Sequence, residues 1–355
     1  MTLARLHGQH FRCFASFEFC PDPRLNLISG ANGAGKTSLL EAIYVLGRGR
    51  SFRTADPCAL RREGSRGFAL AGRVEQSSRQ VLVRIETDGS STAVRIGDHE
   101  ASGLAELAEL LPVQIMEPGV HKLIEEGPAR RRRFLDWGVF HVEPRFLDAW
   151  RRYQRALRQR NAGLKQNASD ASLAGFEAAL CEAGEEIGRM RARYVDRLRP
   201  LLAAAAQSLL GTTVDCHYVT GWASGRSLAE VLNEGRAMDR RQQATRAGPQ
   251  RADLHIQLAG KAARERVSRG EQKLLGASLI LAQIDVFSVL AQSPGVLLVD
   301  DPAAELDRDR LGRLLRALLA RKAQVFLTAL PEGVPELPDT ARVFHVEQGR
   351  VAKML

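Results

Sequence analysis

A glycine-rich stretch lies between an apolar segment and an amphipathic one, and it reads Gly30-Ala31-Asn32-Gly33-Ala34-Gly35-Lys36-Thr37-Ser38. The segment before it, residues 25–28, is short and apolar, as in a buried strand. After it, apolar residues recur at helical spacing, at Leu39, Leu40, Ile43 and Leu46. This order of strand, glycine loop and helix predicts an α/β fold with the loop at the point where the strand meets the helix.

The loop has the pattern G-x-x-x-x-G-K-[ST], which is typical of a phosphate-binding loop, or P-loop. Glycines let the backbone wrap so that its N–H groups converge on phosphate oxygens at the start of a helix. Lys36 then reaches the β- and γ-phosphate oxygens, and the hydroxyl of Thr37 ligates Mg²⁺. The sequence therefore predicts that residues 30–38 bind ATP with Mg²⁺, and that Lys36 also contributes to catalysis.

A P-loop requires an acidic group at the end of another apolar strand, and the run Val296-Leu297-Leu298-Val299 supplies that strand. Two carboxylates, Asp300 and Asp301, follow it directly. Asp300 is placed to hold Mg²⁺, directly or through water, and Asp301 to orient or deprotonate an attacking water. We therefore expect Asp300 to be a metal ligand and Asp301 to be a catalytic residue.

The whole chain is basic, with 51 Lys and Arg against 41 Asp and Glu in 355 residues, a formal net charge of +10. Such an excess favours a polyanionic partner, nucleic acid first and an anionic membrane surface second. No apolar run reaches the roughly 18 residues that a membrane span needs. The five cysteines have neither metal-ligand spacing nor a disulfide pattern. These features predict a cytoplasmic protein with reduced thiols.

The middle of the chain differs in pattern from the two outer segments. From Phe68 to Ile96 apolar residues alternate with polar ones, which predicts an antiparallel meander. Helical spacing then marks residues 145–164 and 176–198, and Pro200 is expected to stop or kink the second helix. Two long amphipathic helices are typical of a hairpin arm, but the periodicity fits core helices of one globular domain equally well. We predict three segments: residues 1–117 as the N-terminal portion of the head, residues 118–245 as a mainly helical insert, and residues 246–355 as the C-terminal portion of the head.

Two further stretches indicate the class of P-loop protein. The run Val267-Ser268-Arg269-Gly270-Glu271-Gln272 resembles the signature motif of ABC-type ATPases, and Asp300-Asp301-Pro302 through Glu305-Leu306-Asp307 resembles their Walker B and D-loop run. The resemblance implies an ABC-type ATPase head, a P-loop mixed sheet with an antiparallel meander, plus an inserted helical arm. It also implies a head-to-tail homodimer with two sandwiched nucleotides. In that dimer the nucleotide held by one P-loop meets residues of the opposite chain: Ser268, Gly270, Glu271 and Asp307.

Across essentially its whole length the chain resembles the RecF family of bacterial recombination mediators. The matching segments are Phe11-Arg12, the P-loop running into Leu40-Glu41-Ala42-Ile43, Gly49-Arg50-Ser51-Phe52-Arg53, residues 127–136, residues 159–164 and residues 268–275. The resemblance implies an ATP-driven dimer that binds duplex DNA near single-strand gaps and releases it by slow hydrolysis. It further implies that the dimer acts with RecR and RecO to help load RecA. The alternative is an ABC-type ATPase, a motor or nucleotidase, whose turnover is itself the function.

Several positions depart from these patterns. ABC enzymes that hydrolyse quickly carry Glu at the position of Asp301 and a switch histidine where this chain has Thr328-Ala329, so we expect slow turnover. Gln114 is a candidate for the glutamine that senses Mg²⁺ and water, and is equally well explained as a buried polar strand end. The family's usual Gly-Pro-His is replaced by Gly248-Pro249-Gln250, followed by Arg251-Ala252. The effect of Gln250 and Ala252 does not follow from the sequence.

Arginines are densest between residues 130 and 160. Guanidinium groups on one helix contact successive phosphates without reading bases, so DNA binding here is expected to tolerate any sequence and to depend steeply on salt. The competing interpretation is a solvated helix face, or arginines paired with acids elsewhere in the chain. The residues proposed to contact DNA are Arg130, Arg131, Arg151, Arg152 and Arg155.

Overall fold

The computed structural model describes residues 1–76, 79–89, 91–265, 267–304, 306–330 and 341–354. The chain forms two compact units. The first comprises Met1–His121, Ser208–Leu210 and Arg269–Leu355, and the second comprises Lys122–Gln207 and Gly211–Ser268. The three segments expected from the sequence, with boundaries at 117 and 245, remain a prediction.

Among the described residues, the secondary structure contains runs of consecutive strands, such as the four between the first and second α-helices, and a run of consecutive helices in the middle of the chain. The strands are β1 (Thr2–Phe11), β2 (Phe14–Phe19), β3 (Leu25–Ser29), β4 (Phe68–Gln76), β5 (Arg79–Thr87), β6 (Thr92–Ile96), β7 (His99–Glu100), β8 (Val113–Met116), β9 (Val214–Val219), β10 (Asp253–Leu258), β11 (Lys261–Ala262), β12 (Gly295–Val299), β13 (Ala323–Ala329), β14 (Arg342–Glu347) and β15 (Arg350–Lys353). The α-helices are α1 (Lys36–Arg48), α2 (Leu104–Leu110), α3 (Lys122–Glu125), α4 (Pro128–Val142), α5 (Phe146–Lys165), α6 (Asp170–Leu210), α7 (Leu228–Gln242), α8 (Arg269–Leu290) and α9 (Arg308–Leu319).

The first unit has two six-stranded sheets among its described residues. One is antiparallel, in the order β2-β1-β4-β5-β6-β7. The other has the order β15-β14-β3-β13-β12-β8, and its strands are parallel except for the β14–β15 pair. The predicted α/β class, with a mixed sheet on the P-loop and an antiparallel meander, is confirmed.

Helix α1 packs against strands of both sheets, including β4 and β8. Leu39, Leu40 and Ile43 are fully buried in the core that it shares with them. Each such side chain stabilises the fold by about 1.5–3 kcal/mol when it is removed from water. Because α1 is fixed on both sides, the loop at its N-terminus has a defined position.

The second unit combines α3 to α7 with a three-stranded antiparallel sheet in the order β11-β10-β9. Helices α5 and α6 are joined by residues 166–169, and Ser169 caps α6 by accepting a hydrogen bond from the N–H of Ser172. Helix α6 continues through Pro200, so of the two expected effects, a stop or a kink, the stop does not occur. A proline inside a helix costs about 3 kcal/mol. Leu198 and Leu202, both fully buried, offset that cost.

Helix α8 is long and apolar enough to cross a membrane by composition, the only such helix in the described portion of the chain. However, 72% of its most apolar window is buried inside the protein. A buried, apolar helix of this kind is what the core of a globular protein contains.

Candidate functional site

The glycine loop joins β3 to α1, as the sequence predicts. At Gly35 the backbone has φ +116°, and an added Cβ would lie 2.7 Å from the sulfur of Cys13. At Gly30 an added Cβ would lie 2.3 Å from the carbonyl oxygen of Val346. The path of the loop therefore requires glycine at both positions. Residues 31–33 are exposed and accessible to a ligand.

Lys36 turns its ammonium group back into the loop. Its Nζ donates to the carbonyl oxygens of Gly30, at 2.7 Å, and Ala31, at 3.0 Å. The ammonium therefore lies beside the N-terminus of α1, where the helix dipole and free N–H groups attract anions. A cation and a helix N-terminus in one loop fit a phosphate group. Half-buried around them are Ala34, Thr37 and Ser38.

The P-loop and the acidic strand meet at one hydrogen-bonded pair. Asp300 follows the end of β12 and is 8% exposed. Thr37 Oγ1 donates to its carboxylate, at 2.9 Å from Oδ1 and 3.2 Å from Oδ2. These two residues are 263 positions apart in the chain, and both were expected at a metal site on sequence grounds.

Asp301 has a backbone conformation that is uncommon outside glycine, with φ +42°. Its Oδ1 atom is buried and has no hydrogen-bond partner among the described residues. A buried carboxylate oxygen without a partner is costly, and such groups concentrate at sites that bind or react with a ligand. The position suits the role of a base toward a water molecule.

The oxygen atoms at this edge fit Mg²⁺. A carboxylate and a hydroxyl are hard ligands, and Mg²⁺ is held in proteins by one or two carboxylates together with water and substrate phosphates. Within the described ranges no three His, Cys, Asp or Glu side chains are grouped to hold a metal ion. Retention of Mg²⁺ would therefore depend on Asp300, Thr37, water and the phosphates of a nucleotide.

Thr328, on β13, is a site residue that the sequence analysis did not assign. Its Oγ1 lies 2.8 Å from Asp300 Oδ1 and accepts a hydrogen bond from the N–H of Asp301 at 2.9 Å. The parallel pairing of β12 with β13, with Val299 opposite Leu327, brings it there. In the sequence, Thr328 was noted only as a member of a segment that lacks the switch histidine.

Gln114 lies on β8 with its side chain turned into the core. Its Nε2 donates to the side-chain oxygen of Gln283 on α8, and its own Oε1 accepts from the N–H of Ile115 at 3.1 Å. In the sheet it pairs with Leu297, three residues before Asp300. The metal-sensing role remains a prediction, and it would require the side chain to leave Gln283.

The signature and D-loop residues lie at helix starts. Ser268 is exposed just before α8, and Gly270 and Glu271 are half-buried in its first turn. Asp307 caps α9 by accepting a hydrogen bond from the N–H of Arg310 at 2.9 Å. Glu305 of the D-loop run lies outside the described residues. The signature residues therefore lie at the start of α8, and their role in a dimer remains a prediction.

A buried ion pair next to the P-loop was not predicted. Glu41, fully buried on α1, accepts hydrogen bonds from Arg12 Nε and Nη2, each at 2.7 Å. Ser51 Oγ also donates to it, at 2.5 Å. The pair attaches the turn between β1 and β2 to α1. The signal in the sequence was a charged residue on the buried face of an amphipathic helix.

The arginines of α4 are mostly engaged within the second unit. Arg131 makes a two-pronged contact with Asp253, at 2.7 Å and 2.9 Å. Arg132 donates to the carbonyl oxygen of Ala252 at 2.8 Å. Arg130 pairs with Glu126 at 2.8 Å. These contacts give Arg130 and Arg131 structural partners, and their proposed role in DNA binding stays untested.

On α5 the arginines divide by helix face. Arg152 contacts three acids, at 3.0 Å, 3.5 Å and 2.6 Å, which are Asp148, Glu182 and Glu186. Arg151, Arg155 and Arg158 are exposed, and none has an ion-pair partner in the portion of the chain that the structure describes. Their spacing of four and three residues places them on one side of the helix. We call these three residues the α5 stripe.

Gln250 and Ala252 also have defined surroundings in the second unit. Gln250 accepts a hydrogen bond from the hydroxyl of Tyr153 and donates to the carbonyl oxygens of Thr245, at 3.2 Å, and Ala247, at 3.1 Å. Ala252 is fully buried. Gln250 therefore holds the loop before β10 in place.

The fold and the site together define an ABC-type ATPase head. They combine a mixed sheet and an antiparallel sheet with a P-loop, a strand-end carboxylate bonded to that loop, and a helix that starts at a signature-like motif. The family model described as "RecF/RecN/SMC N terminal domain" matches residues 2–352. The chain is 40% identical to "DNA replication and repair protein RecF" of Pseudomonas fluorescens strain Pf-5, over 99% of this chain and 98% of that protein. The RecF of Pseudomonas putida strain GB-1 is also 40% identical, with the same coverage. The chain therefore belongs to the RecF family.

Solved structures agree on the fold. The structure described as "recombination mediator protein RecF-ATP in RecFOR pathway" has a TM-score of 0.89 and 24% identity, and covers 100% of this chain and 98% of that chain. An Smc head bound to the C-winged helix domain of ScpA has a TM-score of 0.62 and 15% identity, and covers 100% of this chain and 98% of that chain. At these identities the likeness concerns the fold alone.

Proposed function

We propose that this protein is a cytoplasmic, ATP-dependent DNA-binding protein of recombinational repair and replication. It binds ATP with Mg²⁺, dimerises around two nucleotides and holds duplex DNA at single-strand gaps. With RecR and RecO it then helps to load RecA, and slow hydrolysis releases the DNA. The observation that carries the proposal is the hydrogen bond between Thr37 and Asp300, in a chain that belongs to the RecF family.

Nucleotide binding follows from the residues of the loop and the strand edge. Lys36 holds the β- and γ-phosphates, and the backbone of residues 30–35 wraps around them. Mg²⁺, when bound by Thr37 and Asp300, would supply charge neutralisation at those phosphates. Asp301 accepts the proton of the attacking water. Its short side chain and the alanine at 329, in place of a histidine, support slow turnover.

The position of the signature supports the proposed dimer. Ser268 lies directly before the start of α8. A hydroxyl and N–H groups at a helix start form a ready anion site, here offered to the γ-phosphate of a second chain. The closed dimer thus depends on ATP, since the nucleotide supplies the contact between the two surfaces.

DNA binding draws on the α5 stripe. Three exposed arginines without acidic partners among the described residues give contacts to phosphates and no contacts that read bases. We therefore propose Arg151, Arg155 and Arg158 as phosphate contacts. Arg152, whose charge is opposed by three carboxylates, contributes much less.

Two variants separate nucleotide binding from dimerisation. Sedimentation velocity with and without ATP, on gapped and intact duplex, is expected to give an ATP-dependent dimer that prefers the gapped duplex. Lys36→Ala removes the ammonium that meets the phosphates, and we expect it to lose ATP binding, by on the order of 100-fold, and with it the dimer. Ser268→Arg is the matched variant, because it keeps the P-loop intact.

For Ser268→Arg we expect ATP binding like that of the wild type but a monomer at all ATP concentrations. A Ser268→Arg dimer that forms normally with ATP would contradict the sandwich arrangement. Steady-state hydrolysis without DNA faster than about 1 s⁻¹ would favour the alternative, an enzyme whose turnover is its function.

A further inference from the structure

At the edge of the mixed sheet, one hydroxyl group bonds to two neighbouring acidic residues: to the carboxylate of Asp300 and to the backbone N–H of Asp301. Thr328 Oγ1 lies 2.8 Å from Asp300 Oδ1 and 2.9 Å from the backbone nitrogen of Asp301. Thr328 is fully buried, so no solvent competes for its hydroxyl. One side chain therefore contacts both acidic residues that the proposed function requires.

The protons of this arrangement can be assigned. A threonine hydroxyl has one proton to donate and two lone pairs to accept. The backbone N–H of Asp301 can only donate, so the hydroxyl accepts from it and donates its own proton to Asp300. The hydroxyl proton is committed, and rotation about χ1 is restricted because threonine is β-branched. The direction of the hydroxyl is thus fixed by bonds at both ends.

Each bond has a separate consequence. The bond to Asp300 orients the carboxylate that also accepts from Thr37. The bond from Asp301 supports a backbone with φ +42°, a conformation that costs free energy in a residue with a Cβ. That backbone conformation sets the direction of the Cα–Cβ bond of Asp301, whose Oδ1 is the buried atom without a partner among the described residues.

We propose that Thr328 is the positioning residue of the site: its hydroxyl aims Asp300 at the metal ion and Asp301 at the attacking water. This inference rests on the proposed function, since it assumes that the site binds and hydrolyses ATP. Thr328 acts through the two acidic residues to which its hydroxyl bonds. It links their orientations because both bonds meet at one oxygen atom.

Thr328→Val tests the inference, since valine has nearly the same shape and lacks the hydroxyl. Binding of a fluorescent ATP analogue is measured by titration, once with Mg²⁺ and once with EDTA. We expect the affinity for the analogue in EDTA to change less than about twofold. The increase in affinity on adding Mg²⁺, which we call the gain from Mg²⁺, should fall about tenfold, as for the loss of one charge-assisted hydrogen bond. Thr328→Ser, which keeps the hydroxyl, is expected to restore the gain.

Hydrolysis gives a second readout. At saturating Mg²⁺ and ATP, we expect Thr328→Val to lower kcat by on the order of tenfold, and KM for ATP to rise in step with the lost gain in affinity from Mg²⁺. In an Asp301→Ala background the same substitution should leave kcat unchanged, because its effect on hydrolysis passes through Asp301. In the same background Thr328→Val should still reduce the gain in ATP affinity from Mg²⁺, because that effect depends on Asp300. If the valine variant does not fold, Thr328→Ala replaces it in both measurements.

The outcomes are distinct. A valine or alanine variant with the wild-type gain from Mg²⁺ and the wild-type kcat would overturn the inference and leave the proposed function standing. An additive loss of kcat in the Asp301→Ala background, or no rescue by serine, would also overturn it. If the wild-type protein binds no ATP, and Lys36→Ala gives the same result in that assay, the proposed function is overturned and this inference with it.

Discussion

Helices α4 and α5 follow one another in the chain and are both rich in arginine, yet their arginines have different surroundings. On α4, Arg131 and Arg132 contact Asp253 and the carbonyl oxygen of Ala252. On α5, the stripe of Arg151, Arg155 and Arg158 faces solvent without acidic partners among the described residues. Charge density in a sequence therefore identifies a basic region, but only the distribution of acids around it separates structural arginines from those available to a partner.

Arg160, on α5 itself, is an exception to this contrast and gives the largest expected effect. It is fully buried and donates to Glu177 at 3.0 Å, to Asp239 at 2.7 Å and to Thr245 at 2.8 Å. Arg160→Ala leaves two carboxylates without this cation in the interior. We expect the free energy of unfolding to fall by about 3–5 kcal/mol. Urea unfolding followed by circular dichroism measures it, with Arg158→Ala as the exposed control on the same helix.

The next effect tests the structural role of α4. Arg131→Ala removes both hydrogen bonds to Asp253, whose side chain is only 12% exposed. We expect a loss of about 2 kcal/mol in the free energy of unfolding, because a charged acceptor loses its partner. The same urea titration applies. An Arg131→Ala protein with unchanged stability but weaker DNA binding would move Arg131 from the structural group to the DNA-contacting group.

The smallest effect on the fold, and the one most specific to function, concerns the α5 stripe. Replacing Arg151, Arg155 and Arg158 with alanine should leave the free energy of unfolding within about 0.5 kcal/mol, as for other exposed positions. The slope of log K against log salt for duplex binding should become shallower by about three. Fluorescence anisotropy with labelled gapped duplex at several salt concentrations measures this slope.

Arg152→Ala is the matched control for the stripe, since it lies on the same helix but contacts three acids. We expect its salt slope to stay close to that of the wild type, because surface ion pairs of this kind contribute only about 0–1 kcal/mol and already neutralise the arginine. If Arg152→Ala and Arg155→Ala make the salt slope shallower by the same amount, the proposed difference between paired and unpaired arginines is wrong.

Local chemistry explains what the sequence could predict. The strand, loop and helix around Lys36 follow from glycine positions and periodicity, which act over a few residues, and the fold class derived from them is confirmed. Thr37 and Asp300 were both expected at a metal site because a P-loop needs an acidic strand end, and the structure places them within hydrogen-bond distance of each other. The antiparallel meander after Phe68 followed from the alternation of apolar residues.

Contacts between distant segments of the chain explain what the sequence could not predict. Asp253 lies 122 positions from Arg131, and nothing local in the sequence marks them as partners. Thr328 depends on which strand lies next to β12, which periodicity does not give. At Pro200 the local rule favoured an end to the helix, and the burial of Leu198 and Leu202 outweighed it.

The α5 stripe has a consequence for rates. Unopposed charges act before contact, over roughly 8 Å at physiological ionic strength, and speed the association of proteins with polyanions. Arginines with adjacent carboxylates, such as Arg152, project little field beyond the surface. The stripe should therefore govern how quickly the protein finds DNA, while the nucleotide site governs how long it stays there.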